Sequence, residues 1–477
     1  MPQAPWRRTK IICTLGPATD HPGVLERLVA AGMDVARFNM SHGDHASHAR
    51  QIRHVRQLAQ QAGRFVAILV DLPGPKFRLG ELADGTRELQ LGTDVVLTLG
   101  ADPPDALPVR HPALLQALRV GELVYLADGA VRLEVKAVGA EQVVCEVLVS
   151  GTVTSGSGIN VPESRLSALV PTDDDRRHLG FALAQQAEWL GVSFVQSADD
   201  LVRIRTLLPP GRQPLLMAKI EKRQALADLD AIVAVADGVM VARGDLGVET
   251  DLAEIPLVQK RIIALANAQA RPVITATQML ESMVMQEQPT RAEVTDVANA
   301  MLDGTDAVML SAETAIGHFP VAAVQILQRV LTATETEYAA RRARDRLRKN
   351  ESTLAESPIS LVACQLAARL DARAIIAPVK DMATVLEIAR FRPAAPLVAV
   401  ADSEDLCRRL ALIWGVSPLL AVAGFEPRSC LHLASHWLHA KGLAQPGDPV
   451  VMLSTSAAAQ GAADTLQVMQ VEIDTAG

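Results

Sequence analysis

Three short segments constrain the fold of this 477-residue chain more than any other feature. They are Leu216–Glu221 (Leu-Met-Ala-Lys-Ile-Glu), Val241–Glu249 (Val-Ala-Arg-Gly-Asp-Leu-Gly-Val-Glu) and Val273–Met283 (Val-Ile-Thr-Ala-Thr-Gln-Met-Leu-Glu-Ser-Met). Each begins as a short apolar run and ends in charged, hydroxyl or glycine residues, the pattern of a buried strand opening into a loop. Three in succession, with helical stretches between them, predict an α/β fold built on a parallel (β/α)8 barrel. Barrels of this type put their chemistry at one rim. Here that rim gathers an ammonium (Lys219), two carboxylates (Glu221, Asp245), a hydroxyl (Thr277) and a glycine turn (Gly244).

The chain is too long for one ordinary domain. Hydrophobic residues make up 49% but aromatics only 3%, so its cores are aliphatic. A net charge of −8 excludes a general nucleic-acid surface, and an anionic substrate must be met by local Arg and Lys. Five scattered cysteines (Cys13, Cys145, Cys364, Cys407, Cys430) have no metal-ligand spacing and read as reduced thiols of a cytoplasmic protein. The N-terminus has no signal-peptide apolar core, and no apolar stretch is long enough to span a membrane.

From Lys10 to Asp71 the pattern is strand, helix, strand, helix, strand. Gly32 and Gly63 stop helices over Val24–Ala31 and His48–Ala62. From Arg78 to about Pro162 the rhythm changes to alternation such as Val131-Arg-Leu-Glu-Val-Lys, with turns at Asp84-Gly85 and Asp128-Gly129 and one helical patch at Pro112–Leu118. This predicts an inserted β domain. Asp173–Glu188 is helical, and Glu337–Lys349 reads as a basic, solvated linking helix. After Ser357 a separate α/β region follows, with strands at Ala374–Pro378, Leu397–Ala401 and Pro449–Leu453. The expected division is barrel over 1–77 and 164–350, inserted domain over 78–163, and C-terminal α/β domain over 351–477.

Lys219 and Glu221, two apart on one strand, share a face. A barrel interior seldom buries such a pair without purpose, although a buried ion pair alone is the competing reading. Glu221 and Asp245 from adjacent strands suit a hard cation such as Mg²⁺ or Mn²⁺, completed by substrate oxygens and water. Arg-Gly-Asp-Leu-Gly reads as a tight turn offering backbone N–H donors. Arg37 suits a phosphate by its rigid fork of donors. An ammonium beside a divalent cation is equipment for phosphoryl transfer or enolate chemistry.

These segments, in this order, resemble the pyruvate kinase family. So do Thr9–Thr19, Ala36–Gly43, Pro289–Asn299 and Asp306–Thr314, so the resemblance covers nearly the whole chain. It implies transfer of phosphate from phosphoenolpyruvate to ADP, giving pyruvate and ATP. The inserted domain would be a small β-barrel lid, and the C-terminal domain would carry effector sites and contacts of a homotetramer. Glu221 and Asp245 would hold the divalent cation. Gly244 and Asp245 would receive the phosphoenolpyruvate carboxylate through backbone N–H groups. Lys219 would stabilise the phosphoryl group and the enolate, with Arg37 on the phosphate. Thr277 would stand in the proton path to the enolate carbon, ordering a water or relay. Asn39, His42, Arg78 and the lid acid Asp128 would serve the nucleotide.

The sequence departs from the family pattern in three places. Asp71-Leu-Pro-Gly-Pro-Lys76 has Leu72 and Lys76 where most relatives have Thr and a K⁺-associated Glu, near Asn39, Ser41 and Asp71. A fixed ammonium at Lys76 can replace the K⁺ charge, so no K⁺ requirement is expected; the competing reading points Lys76 to solvent and keeps an ordinary K⁺ site. Ser155-Gly-Ser-Gly158 lacks a nucleotide-side lysine. Ala377–Thr384 replaces a hydroxyl-rich phosphate loop, which argues against fructose 1,6-bisphosphate control and leaves another effector or none. Two other functions compete. A metal-dependent aldolase or lyase would need neither lid nor Thr277. A weakened metabolite sensor would not retain Lys219, Glu221, Asp245, Thr277 and Arg37 together.

Overall fold

The computed structural model of the chain describes residues 6–75, 77–100, 105–127, 129–162, 170–349, 358–421, 425–454 and 465–473. Lys76, Asp128 and the expected domain junctions at 163–164 and 350–351 lie outside the described residues.

Eight parallel strands close a barrel in sequential order. They are β1 (Lys10–Thr14), β2 (Val35–Asn39), β3 (Ala67–Asp71), β4 (Trp189–Val192), β5 (Leu215–Ile220), β6 (Gly238–Ala242), β7 (Val273–Ala276) and β8 (Ala307–Leu310). Successive side chains alternate between the two faces of a strand. Ile11, Cys13, Ile68, Leu190 and Val241 face outward into the helical layer. Ile12, Val35, Leu69, Trp189, Met217, Met240, Ile274 and Met309 fill the interior. The same alternation carries Thr14, Arg37, Asn39, Asp71 and Lys219 inward, one or two steps further along their strands. The barrel is therefore apolar below and charged above.

The helices follow the sequence reading with small shifts. Gly32 ends Val24–Ala31 in the left-handed region at φ 112°. The second helix starts one turn earlier than expected, at His45, because Asp44 caps it by accepting from the Ser47 N–H at 2.9 Å. Glu337–Lys349 is not a separate linking helix but the end of one continuous helix, Pro320–Lys349.

Between β3 and β4 the chain leaves the barrel. Seven strands between Phe77 and Asn160 form one sheet, and Thr86–Leu89 pairs with Gly151–Thr154 as a second ladder. Both ladders contribute to a single core that includes Leu89, Leu97, Leu126, Leu133, Val135, Cys145 and Val153. In Val131–Val138 the alternation seen in the sequence separates buried Val131, Leu133 and Val135 from exposed Arg132 and Lys136.

The C-terminal region adds a five-stranded sheet. Four strands are parallel, and Thr465–Gln470 pairs antiparallel with Pro449–Ser454 at one edge. That edge strand and Val416–Leu420 were not expected from the sequence; Pro418 and an exposed flank blur their patterns. The domain docks on the N-terminal ends of the barrel strands. Lys10 Nζ donates to the Val416 carbonyl at 2.7 Å, and Arg408 Nε meets the buried Glu188 at 2.8 Å. Arg392 grips both oxygens of Asp306 at 2.7 Å each, and the Val273 and Trp414 N–H groups donate to the same carboxylate at 3.0 and 3.1 Å. Apolar side chains of the barrel interior and of the C-terminal domain form one continuous cluster. Breaking a buried pair by removing one partner costs about 3–5 kcal/mol. Asp306→Ala is therefore expected to lower the free energy of domain separation by that amount and the urea midpoint in proportion, as read by limited proteolysis along a urea series. An unchanged midpoint would assign the interface to the apolar cluster alone.

Candidate active site

The charged layer at the C-terminal ends of the strands is a connected network. Arg37 from β2 donates to Asp71 Oδ2 through Nε at 2.8 Å and Nη2 at 2.5 Å, and to Thr14 Oγ1 through Nη1 at 2.9 Å. Lys219 from β5 reaches Asp71 Oδ1 at 3.2 Å, Glu221 Oε1 at 2.8 Å and Ser193 Oγ at 2.6 Å. The Phe194 N–H donates to Glu221 Oε2 at 2.8 Å. Asp71 and Glu221 are each 1% exposed. Gly191, between them on β4, leaves room for this layer: a Cβ there would come within 2.9 Å of Asp71 Oδ1.

The electrostatics follow from burial and neighbours. Burial alone would raise Asp71, but Lys219 and Arg37 outweigh it and hold the carboxyl below its ordinary range. Burial alone would lower Lys219, yet Asp71 and Glu221 raise it, so the ammonium stays charged. Burial pushes Glu221 up and Asp245 adds to this, against the pull of Lys219. A cation placed on this pair of carboxylates would relieve that strain.

Asp245 stands on the short helix Arg243–Glu249 that follows β6, so the expected tight turn is the first turn of a helix. No described residue forms an ion pair with it. Its carboxylate and Glu221 offer only hard oxygen donors, and no cluster of three or more His, Cys, Asp or Glu side chains that could hold a metal exists among the described residues. Such a donor set fits Mg²⁺ or Mn²⁺ shared with substrate oxygens, and not a closed protein cage.

Thr277, just past β7, has φ 65°, and Gln278 follows at φ 53°. A β-branched residue in the left-handed region is a genuine outlier and marks a held conformation. Arg243 holds it. Its Nη2 donates to the Thr277 carbonyl at 2.7 Å and the Gln278 carbonyl at 3.3 Å, while Nη1 pairs with Asp296 at 2.6 Å. The Thr277 hydroxyl accepts from the Gly244 N–H at 2.8 Å and donates to the Ala276 carbonyl at 2.7 Å.

The structure thus brings Arg37, Lys219, Glu221, Asp245, Gly244 and Thr277 to one end of the barrel. Asn39 lies on the same rim, its Oδ1 accepting from the Ser41 N–H at 3.1 Å. Ser41 and His42 are exposed on the loop beyond, whose His42 carbonyl is held by His48 Nε2 at 2.8 Å. Arg78 sits at the root of the inserted domain and donates to the Gly156 carbonyl at 2.9 Å. Four participants were not expected: Thr14, Ser193, Phe194 and Arg243. The signal for two of them was present. Trp189-Leu-Gly-Val-Ser-Phe is another apolar run ending in a hydroxyl residue.

The family model described as "Pyruvate kinase, barrel domain" matches residues 6–324, and "Pyruvate kinase, alpha/beta domain" matches residues 357–469. The chain belongs to the pyruvate kinase family. It is 40% identical over 473 residues to a pyruvate kinase of Geobacillus stearothermophilus, covering 98% of this chain and 80% of that one. It is 41% identical over 417 residues to a pyruvate kinase of Mycobacterium tuberculosis, covering 87% and 88%. A solved pyruvate kinase structure from Cryptosporidium parvum superposes with a TM-score of 0.91 at 31% identity, covering 98% of this chain and 96% of that one. The enzyme is a phosphotransferase that moves the phosphoryl group of phosphoenolpyruvate to ADP, giving pyruvate and ATP. As a pyruvate kinase it is neither the aldolase or lyase nor the sensor considered above.

Among the described residues, Lys219 supplies the ammonium that meets both Asp71 and Glu221. Lys219→Met is expected to lower kcat by about 10²-fold or more, the scale of losing one preorganised electrostatic contact. The steady-state rate of pyruvate release measures it, with circular dichroism to confirm folding. Near-normal turnover in a folded variant would remove Lys219 from the chemistry.

Proposed function

We propose that the reaction is divided among the residues of this network as follows. The observation that carries the reading is the Lys219 ammonium, 2.8 Å from Glu221 and beside an Asp245 that has no ion-pair partner among the described residues. Glu221 and Asp245 hold Mg²⁺ or Mn²⁺, which when bound supplies positive charge to phosphate and enolate oxygens. Lys219 and Arg37 bind the phosphoryl group, and Lys219 stays with the enolate oxygen after transfer. The backbone N–H groups of Gly244 and Asp245 receive the phosphoenolpyruvate carboxylate, the Gly244 N–H turning to it from the Thr277 hydroxyl that it meets at 2.8 Å. Asn39, His42 and Arg78 meet ADP, joined by Asp128 from the inserted domain, residues 78–163, acting as a lid.

Thr277 serves the enolate. Its hydroxyl proton points to the Ala276 carbonyl, so proton delivery runs through a water ordered by the oxygen and not through direct donation. Thr277→Val is expected to suppress solvent-proton exchange into pyruvate more than it suppresses phosphoryl transfer, measured by deuterium incorporation into the methyl group. Exchange at the wild-type rate would give Thr277 another role.

The enzyme works without K⁺, Lys76 supplying the positive charge. Three features support this. Leu72 is buried in the apolar layer, with its N–H on the Gly191 carbonyl at 2.9 Å. Both Asp71 oxygens already face Arg37 and Lys219. The Asn39 amide oxygen faces a backbone N–H. The expected outcome is similar activity in K⁺ and in a large organic cation buffer. Inactivity of protein freed of K⁺ and NH₄⁺, restored only by K⁺, would overturn it. The loop Ala377–Thr384 argues against fructose 1,6-bisphosphate as the effector and leaves another or none: at the start of the helix Ala383–Ala389, Asp381 Oδ1 accepts from the Ala383 N–H at 2.9 Å. A homotetramer and a cytoplasmic location complete the reading. Five buried free thiols support the location, and exposed Leu252 and Leu257 on the barrel flank support assembly.

A further inference from the structure

The loop after β5 and the short helix after β6 are joined by one buried ion pair. Lys222 directly follows Glu221, and its ammonium lies 2.6 Å from Glu249 Oε1. Glu249 ends the helix Arg243–Glu249, four residues beyond Asp245, so the two carboxylates lie on one face a turn apart. The Glu249 side chain is fully buried, and that of Lys222 is 17% exposed. Lys222 also lies over the Phe194 ring, 5.5 Å from its centroid. Phe194, with φ 56°, donates its N–H to Glu221. A chain of contacts results: Glu221 to Phe194, Phe194 to Lys222, Lys222 to Glu249, and Glu249 along the helix to Asp245.

We propose that Lys222 and Glu249 are a positioning pair that fixes Glu221 and Asp245 relative to each other and thereby sets the affinity of the site for a divalent cation. The inference rests on the reading of Glu221 and Asp245 as the cation's carboxylates. The pair is neutral as a whole, so what it contributes is placement. It ties the loop after β5 to the helix after β6, beyond the strand pairing at Lys219–Met240 and Ile220–Val241.

Lys222→Met separates placement from charge. It leaves one more unpaired carboxylate near the site, and Coulomb attraction alone would then tighten cation binding. Loss of placement weakens it. Partners that orient metal ligands are worth about 10–100-fold in affinity.

The experiment is titration of the full-length protein with Mn²⁺, free ion read by electron paramagnetic resonance, without nucleotide or phosphoenolpyruvate. Lys222→Met and Glu249→Gln are each expected to weaken Mn²⁺ binding by about tenfold or more. Lys222→Arg keeps most of the affinity. The reversed pair, Lys222→Glu with Glu249→Lys, recovers part of what Lys222→Glu alone loses. Unchanged or tighter Mn²⁺ binding in Lys222→Met overturns the proposal. Should that variant not fold, the reversed pair decides, and no recovery overturns it. Glu221→Gln is the separate arm. Unchanged Mn²⁺ affinity there removes the carboxylate assignment itself. Weakened affinity there, with Lys222→Met at the wild-type value, removes only the positioning role.

Discussion

The Lys219 ammonium between Asp71 and Glu221 is the interaction on which the rest of the structure depends. Five ionisable groups, Arg37, Asp71, Lys219, Glu221 and Asp245, meet where the ends of β2, β3, β5 and β6 converge. Taking such charges out of water is costly unless each finds a partner with good geometry. Here the partners come from β2, β3 and β5, with Ser193 and the Phe194 N–H supplied just beyond β4. Only a closed barrel brings these strand ends together. Arg37 and Lys219 balance Asp71 and Glu221, so Asp245 is the carboxylate in excess, and a divalent cation is its natural counter-charge.

That layer is preorganised because what lies beneath it does not yield. Trp189, Met217, Met240 and Met309 fill the barrel below the charges, and the C-terminal domain continues the same apolar cluster. The docking contacts fall at Lys10, Glu188 and Asp306, at the start of β1, β4 and β8. The other ends of β1 and β4 lead directly to Thr14 and Ser193 in the charged layer. Four or five residues of strand therefore separate the docking contacts from the charged layer.

Much of this was legible in the sequence because it rests on alternation. Period 2 along β5 places Met217, Lys219 and Glu221 on one face, and the change from apolar to charged within that run marks the rim. The inserted β domain was legible for the same reason in Val131–Val138. The stop at Gly32 was legible because only a glycine takes φ 112° cheaply. What was not legible depends on contacts between distant segments. Arg243 looks like part of a turn motif, and nothing local says that it holds the carbonyls of Thr277 and Gln278. The early start of the helix at His45 turned on one capping carboxylate, Asp44. The strand Val416–Leu420 carries Pro418, which reads as a breaker; it is tolerated because this strand lies at the sheet edge.

The left-handed pair Thr277–Gln278 shows how far the local backbone departs from its own preference. Each residue costs of order 1–3 kcal/mol in that conformation and persists only where the surroundings over-determine it. The over-determination is visible. Arg243 donates to two successive carbonyls, Asp296 fixes Arg243 from behind, and the Thr277 hydroxyl bridges the Gly244 N–H and the Ala276 carbonyl. These contacts join three of the segments that stood out in the sequence: Val241–Glu249, Val273–Met283 and Pro289–Asn299. Their co-occurrence in one chain therefore has a mechanical cause. The Asp245 helix, the Thr277 turn and the helix bearing Asp296 are joined into one hydrogen-bonded unit through Arg243 and the Thr277 hydroxyl.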